Sequence, residues 1–186
     1  MATPPDFTAG SVLTAAQMNQ VGLWLVKTQT LNAVSNDITS CFTSDFDSYR
    51  VVISGFSTAT TTIRTINVRL LAGTTPDTSS NYSWMYNLAY GANLGGNSSS
   101  QNVAQWEVGV ASTRAGQSII IDFNSPQKAT ASSISFQSVT YQSDVPSYII
   151  RQGGGGHNVA TAYDGFQIYG VTDALSGTVR VYGYTN

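Results

Sequence analysis

From Thr28 to the C-terminus the apolar residues recur at every second position, in short runs separated by turn formers, and that period admits strands and little else. Tyr49, Val51 and Ile53 alternate with Arg50, Val52 and Ser54. Ile66, Val68 and Leu70 alternate with Asn67, Arg69 and Leu71, and Val179 and Val181 with Arg180 and Tyr182. A strand with one apolar side and one wetter side buries the first, the mark of an antiparallel β-sandwich. The runs predict strands over 30–34, 49–56, 62–72, 83–90, 103–111, 118–123, 132–141, 147–151, 165–169 and 178–184. Turn formers punctuate them at 73–77, 124–126 and 173–177. Two low-complexity stretches, 91–100 and Gly153 to Gly156, read as flexible surface loops.

Composition points the same way. Only 10% of the 186 residues are charged, against roughly 25% in ordinary soluble proteins. Glu107 is the single glutamate, and Lys27 and Lys128 are the only lysines. The best exposed-helix formers are therefore scarce, while abundant Val, Ile, Thr and Tyr suit pleated, half-buried surfaces. The length is that of one domain. A net charge of −2, with Arg50, Arg64, Arg69, Arg114, Arg151 and Arg180 scattered, argues against nucleic-acid binding. No apolar run approaches the roughly 18 residues of a membrane span, so no membrane insertion is expected. The opening residues lack a basic flank and an apolar signal core, so synthesis in the cytoplasm without processing is expected. A weakly charged, hydroxyl-rich surface carries little repulsion against self-association.

The first thirty residues differ. Pro4-Pro5 favours an extended entry, and Thr14-Ala15-Ala16-Gln17 has the form of a capping box. Met18, Val21 and Leu25 then recur at i, i+3 and i+7, which predicts one N-terminal α-helix over about 14–26. Phe7, Val12, Leu13, Leu23 and Trp24 add more apolar surface than one packing face needs. That surface either packs on the chain's own sandwich or docks elsewhere; the leading expectation is a helical docking segment over 1–30, with Phe7, Val12, Leu13, Met18, Val21 and Leu25 meeting another chain or another copy, and a β-sandwich domain over 31–186.

Catalytic chemistry is poorly supplied. General acid–base work needs paired titratable groups, and here there are Glu107, scattered aspartates and His157, which follows the glycine run and reads as a solvated or locally hydrogen-bonded loop residue. No Gly-x-Ser-x-Gly elbow occurs. Cys41 is the sole cysteine, so it forms no intrachain disulfide and reads as a small buried residue. Asp45 and Asp47 have the i, i+2 spacing of calcium loops but lack the later Gly and closing Glu, so an ordinary turn is expected. No catalytic residue, metal or cofactor is expected. Aromatic residues are better supplied: Tyr82, Trp84, Tyr86 and Tyr90 fall at even spacing on one side of a strand. They form either an inner sandwich face or an exposed stacking platform, with Trp84, Tyr86 and Tyr90 the candidate ligand contacts.

Three stretches carry a resemblance. Pro4-Pro5-Asp6-Phe7-Thr8-Ala9-Gly10-Ser11-Val12-Leu13-Thr14-Ala15-Ala16-Gln17-Met18-Asn19 resembles the leader of short virion structural proteins of tailed bacteriophages. Cys41-Phe42-Thr43-Ser44-Asp45-Phe46-Asp47-Ser48-Tyr49-Arg50-Val51-Val52-Ile53 resembles their first-strand signature. Gly165-Phe166-Gln167-Ile168-Tyr169 and Gly177-Thr178-Val179-Arg180-Val181-Tyr182-Gly183-Tyr184 resemble their last two strands. The resemblance implies a jelly-roll-like sandwich displayed on a phage particle, usually as a homotrimer, held to other virion proteins of the tail or capsid by its leader. Within it, a tail-fibre or receptor-binding appendage for host attachment leads, and a capsid decoration protein follows. A carbohydrate-binding module or glycan-cleaving spike, with a host-surface glycan as ligand, is the reading from another class.

Overall fold

The computed structural model describes residues 22–90, 95–114, 116–142 and 146–184. These contain β-strands and no helix: β1 Leu23–Leu31, β2 Ser35–Ile38, β3 Ser48–Thr58, β4 Arg64–Ala72, β5 Thr75–Pro76, β6 Tyr82–Tyr90, β7 Asn97–Val103, β8 Trp106–Ala111, β9 Gln117–Asn124, β10 Ser132–Gln142, β11 Ser147–His157, β12 Gly165–Gly170 and β13 Leu175–Tyr184. Eight form a large antiparallel sheet in the order β1-β13-β3-β9-β10-β11-β6-β7. The small sheet runs β2-β12-β4-β5, with β8 also paired to β4.

The alternation read from the sequence decides which side of each strand turns inward. Tyr49, Val51 and Ile53 of β3 are buried, as are Ile119, Ile121 and Phe123 of β9 and Val179 and Val181 of β13. Gly55, at φ 62°, takes up the extra residue where the β3–β9 register shifts. The inward phase thereby moves from odd to even positions, and Phe56 stays buried beyond it. Opposite these strands, Ile66, Val68 and Leu70 of β4 and Phe166 and Ile168 of β12 complete one continuous core shared by both sheets. Phe42, Phe123 and Phe166 tie the layers together, with ring centroids 5.1 Å apart for the first pair and 5.2 Å for the last two. Each fully buried ring of this kind contributes about 2 kcal/mol of apolar burial.

Several expectations need correction. Leu23 to Val26, expected to close a helix, are strand: Leu23 lies opposite Tyr184 and Leu25 opposite Tyr182. The free edge of β13 offers this segment a ladder of backbone partners, and a short isolated helix cannot compete with that. Phe7, Val12, Leu13, Met18 and Val21 lie outside the described residues. The run over 103–111 is two pieces in different sheets, β7 ending at Val103 and β8 starting at Trp106. Asn97 to Ser100, expected in a loop, belong to β7, and the glycine run belongs to β11, which continues through Gly156 to His157. Cys41 is buried as expected, and burial pushes its thiol pKa up to about 12 against the opposing pull of Lys27.

Candidate interaction face

The inward side of the β10-β11-β6 quarter holds the polar groups that sequence could have assigned to chemistry. Arg151 of β11 is 7% exposed, and its Nη1 donates to Glu107 Oε1 at 3.1 Å. Tyr86 Oη donates to the same oxygen at 2.9 Å, and the Arg151 guanidinium lies over the Tyr86 ring at 4.8 Å. The only glutamate of the chain is thus committed to an interior ion pair. Such a pair adds little net stability while both members are present, and much is lost when one is removed.

His157 is 1% exposed rather than solvated. It packs 4.2 Å from the Tyr82 ring, 5.4 Å from Tyr163 and 6.3 Å from Trp106. Its Nε2 is 3.2 Å from Asp77 Oδ2 but off the line of a hydrogen bond, leaving both ring nitrogens without one. Burial holds the imidazole below its ordinary pKa, with Asp77 pulling the other way, so it is neutral at pH 7. The Asp77 carboxyl opposes its own desolvation with hydrogen bonds from Ser79 and Tyr163, which bring it below the usual carboxylate range. The imidazole itself is closed off from solvent, while the Asp77 side chain beside it stays 17% exposed.

The four glycines explain how so much is packed here. Trp106, fully buried on β8, donates from Nε1 to the Gly156 carbonyl at 3.2 Å. A Cβ on Gly155 would stand 2.7 Å from the Trp106 ring and 2.3 Å from the Ser83 carbonyl oxygen. On Gly153 it would meet the Met85 carbonyl at 2.2 Å. The run looked like a loop because strands seldom surrender their side chains. Here the large rings of neighbouring strands fill that space instead.

The outward side is different. Cross-strand register builds three rows over β10, β11, β6 and β7 in turn: Ser133, Gly156, Ser83 and Gln101; Ser135, Gly154, Met85 and Ser99; Gln137, Gln152, Asn87 and Asn97. Every position is a hydroxyl, an amide, a glycine or Met85, which is 64% exposed. With no side chain on Gly154 or Gly156, β11 becomes the floor of a trough between the side chains of β10 and β6. A hollow of about 460 Å³ opens where Met85, Ser99, Gln101 and Gly154 meet. A second, of about 340 Å³, lies on the other side of β11, among Ser135, Gln137, Gln152, Arg50 and Asp122. Arg50 and Asp122 close on each other through two hydrogen bonds of 2.8 Å, and Tyr184 Oη donates to Asp122 at 2.9 Å. The Arg50 fork holds the Asp122 carboxyl below its usual range.

Of the residues singled out from sequence, Trp84 and Tyr86 stack on each other at 5.4 Å and 6°. Both turn toward the core, with Tyr86 6% exposed and Trp84 partly buried, while Tyr90, at the end of β6, is half-buried. Leu25 is 57% exposed on the outer edge of β1, beside Leu23 at 44% and Trp24 at 37%. The trough itself was not found from sequence. Its signal was the pairing of a glycine run with serine-rich and asparagine-rich strands, which becomes a surface only once register is known. Among the described residues no group of three His, Cys, Asp or Glu side chains could hold a metal ion, and no helix is long and apolar enough to cross a membrane. No protein-family model matches this sequence, and a search of curated proteins returns no match either.

Proposed function

We propose that this chain is a non-enzymatic structural protein of a bacteriophage particle, docked through its N-terminal segment as a homotrimer and displaying a jelly-roll-like sandwich for host attachment. One observation carries the docking half. The strand that follows the leader, β1, is an edge of the large sheet, and it exposes three consecutive large apolar side chains, Leu23, Trp24 and Leu25. Edge strands of soluble proteins are ordinarily blunted by charge or proline, and an apolar one suits strand addition or burial against a partner. The resemblance of the leader and of the first and last strands to phage virion proteins supplies the setting. The Glu107–Arg151 pair and the His157 cluster, both turned inward, support the non-enzymatic half.

The test is incorporation. Particles assembled with the intact chain should contain it, and particles assembled with a chain lacking residues 1–22 or carrying Trp24→Asp and Leu25→Asp should not, as counted by quantitative mass spectrometry. Full incorporation of both variants overturns the docking claim. Gold labelling of intact particles separates an appendage on the tail from a decoration on the capsid.

A further inference from the structure

We infer that the glycine-floored trough on the outer face of β11 is a binding site for a neutral saccharide chain, which names the kind of host-surface ligand the attachment reading requires and rests on that reading. The first ground is a glycine that packing does not demand. Gly153, Gly154 and Gly155 are held by crowding, since a Cβ on each would come within 2.2–2.7 Å of a backbone carbonyl oxygen of a neighbouring strand. Gly156 is not: a Cβ there would meet only Ser83 Oγ, at 3.7 Å. A glycine within a strand costs about 0.5–1 kcal/mol relative to alanine, and close approach of a ligand is one of the reasons a strand keeps one that its own packing does not require.

The second ground is chemistry. The rows around the floor present hydroxyls from Ser133, Ser135, Ser83 and Ser99 and amides from Gln152 and Asn87, groups that both donate and accept hydrogen bonds, as sugar hydroxyls do. Met85 adds an exposed thioether against which the C–H face of a ring can lie. No ionisable side chain stands in the rows, and the nearest, Arg50 and Asp122, are spent on each other. An ionic ligand would give up hydration there without gaining a counter-charge. The dimensions suit a chain rather than a lone ring: four residues of strand give a floor about 13 Å long, and the flanking backbones stand about 10 Å apart. Tyr82 and Tyr86 are buried on the other side of β6, while Trp84 is among the residues that line the hollow.

The experiment is an array of neutral hexose and N-acetylhexosamine oligosaccharides, with sialylated and sulfated ones as anionic comparators, probed with the intact protein and with Gly156→Val, Gln152→Ala and Val171→Ala. The expected result is binding to neutral members, lowered roughly tenfold or more by Gly156→Val and Gln152→Ala and unchanged by Val171→Ala, whose exposed side chain lies outside the trough. Thermal melting of each variant shows that the fold is intact, and Gln152→Ala keeps the test decisive if Gly156→Val does not fold. No binding to any neutral member, a preference for anionic ones, or binding that survives both trough variants overturns the inference. Particle incorporation is read separately: a chain that enters particles but binds no neutral glycan sinks only the trough, and one that binds glycans but never enters particles sinks only the virion reading.

Discussion

At one end of the large sheet, where β13, β3 and β9 lie side by side, the outer face carries Arg180, Tyr182, Tyr184, Arg50 and Asp122, and the ionic groups sit in water. At the other end, where β10, β11, β6 and β7 lie side by side, the outer face is uncharged and the ion pair has moved indoors, as Arg151 and Glu107. The large sheet thus carries Arg50, Arg180 and Asp122 on its outer side at one end and turns Arg151 inward at the other, where Glu107 of the small sheet meets it. The same residue types are held by surface hydrogen bonding at one end and by interior packing at the other, so substitutions of the same kind should have unequal costs. The end with the interior pair is the one left with a charge-free surface.

The contrast can be broken most severely at Arg151. Arg151→Ala leaves Glu107 without its counter-charge in a largely buried place, and should cost about 3 kcal/mol in urea unfolding. Next comes the floor itself. Gly155→Ala forces a methyl group against Trp106 and the Ser83 carbonyl and should cost about 2 kcal/mol, whereas Gly156→Ala, whose methyl meets only Ser83 Oγ at 3.7 Å, should raise stability by about 0.5–1 kcal/mol. Equal effects at the two positions would mean that the glycines are not held by the rings beneath them.

A third measurement uses pH. Because burial lowers the pKa of His157, the unfolded chain takes up this proton first as pH falls. Folding stability should therefore decline below about pH 6.5, level off once the folded imidazole also protonates, and show no such decline in His157→Gln. The lowered carboxyl of Asp77 gives a separate loss, starting near the ordinary Asp value of about 4. A flat profile between pH 7 and 5 in the unaltered protein would show that the imidazole is not confined as described. The smallest effect belongs to the outer pair: Arg50→Ala should cost only about 0.5 kcal/mol, since its side chain is 38% exposed, and less still at high salt.

Much of the framework was legible in the sequence where each strand supplied its own inward side chains. β3, β9, β10 and β13 alternate so clearly that their extents fall within two or three residues of those expected. Legibility failed where a neighbour supplied the packing. Gly153 to Gly156 carry no pattern of their own, because the inner side is filled by Trp106 of the other sheet at Gly155 and by Tyr86 of the next strand at Gly153. His157 read as a loop residue because it followed glycines, and of the rings that bury it only Tyr163 is near in sequence, while Tyr82 and Trp106 come from distant strands. Of Leu23 to Val26 only Leu25 continued the helical stripe of Met18 and Val21, and the open side of β13 draws the whole segment into a strand. The outer trough depends wholly on register, which no single strand encodes.

Arg69 fixes the corner where the chain leaves β7 and enters β8: its Nε donates to the Ala104 carbonyl at 2.9 Å, Nη2 reaches Gln105 Oε1 at 3.3 Å, and its guanidinium rests on the Tyr169 ring at 4.5 Å. The outermost rim of the trough and a strand on the far side of the core are therefore joined through two residues that Arg69 holds in place. The outermost strand of one sheet is thereby continued, through a corner held by a side chain of the other, into the opposite layer.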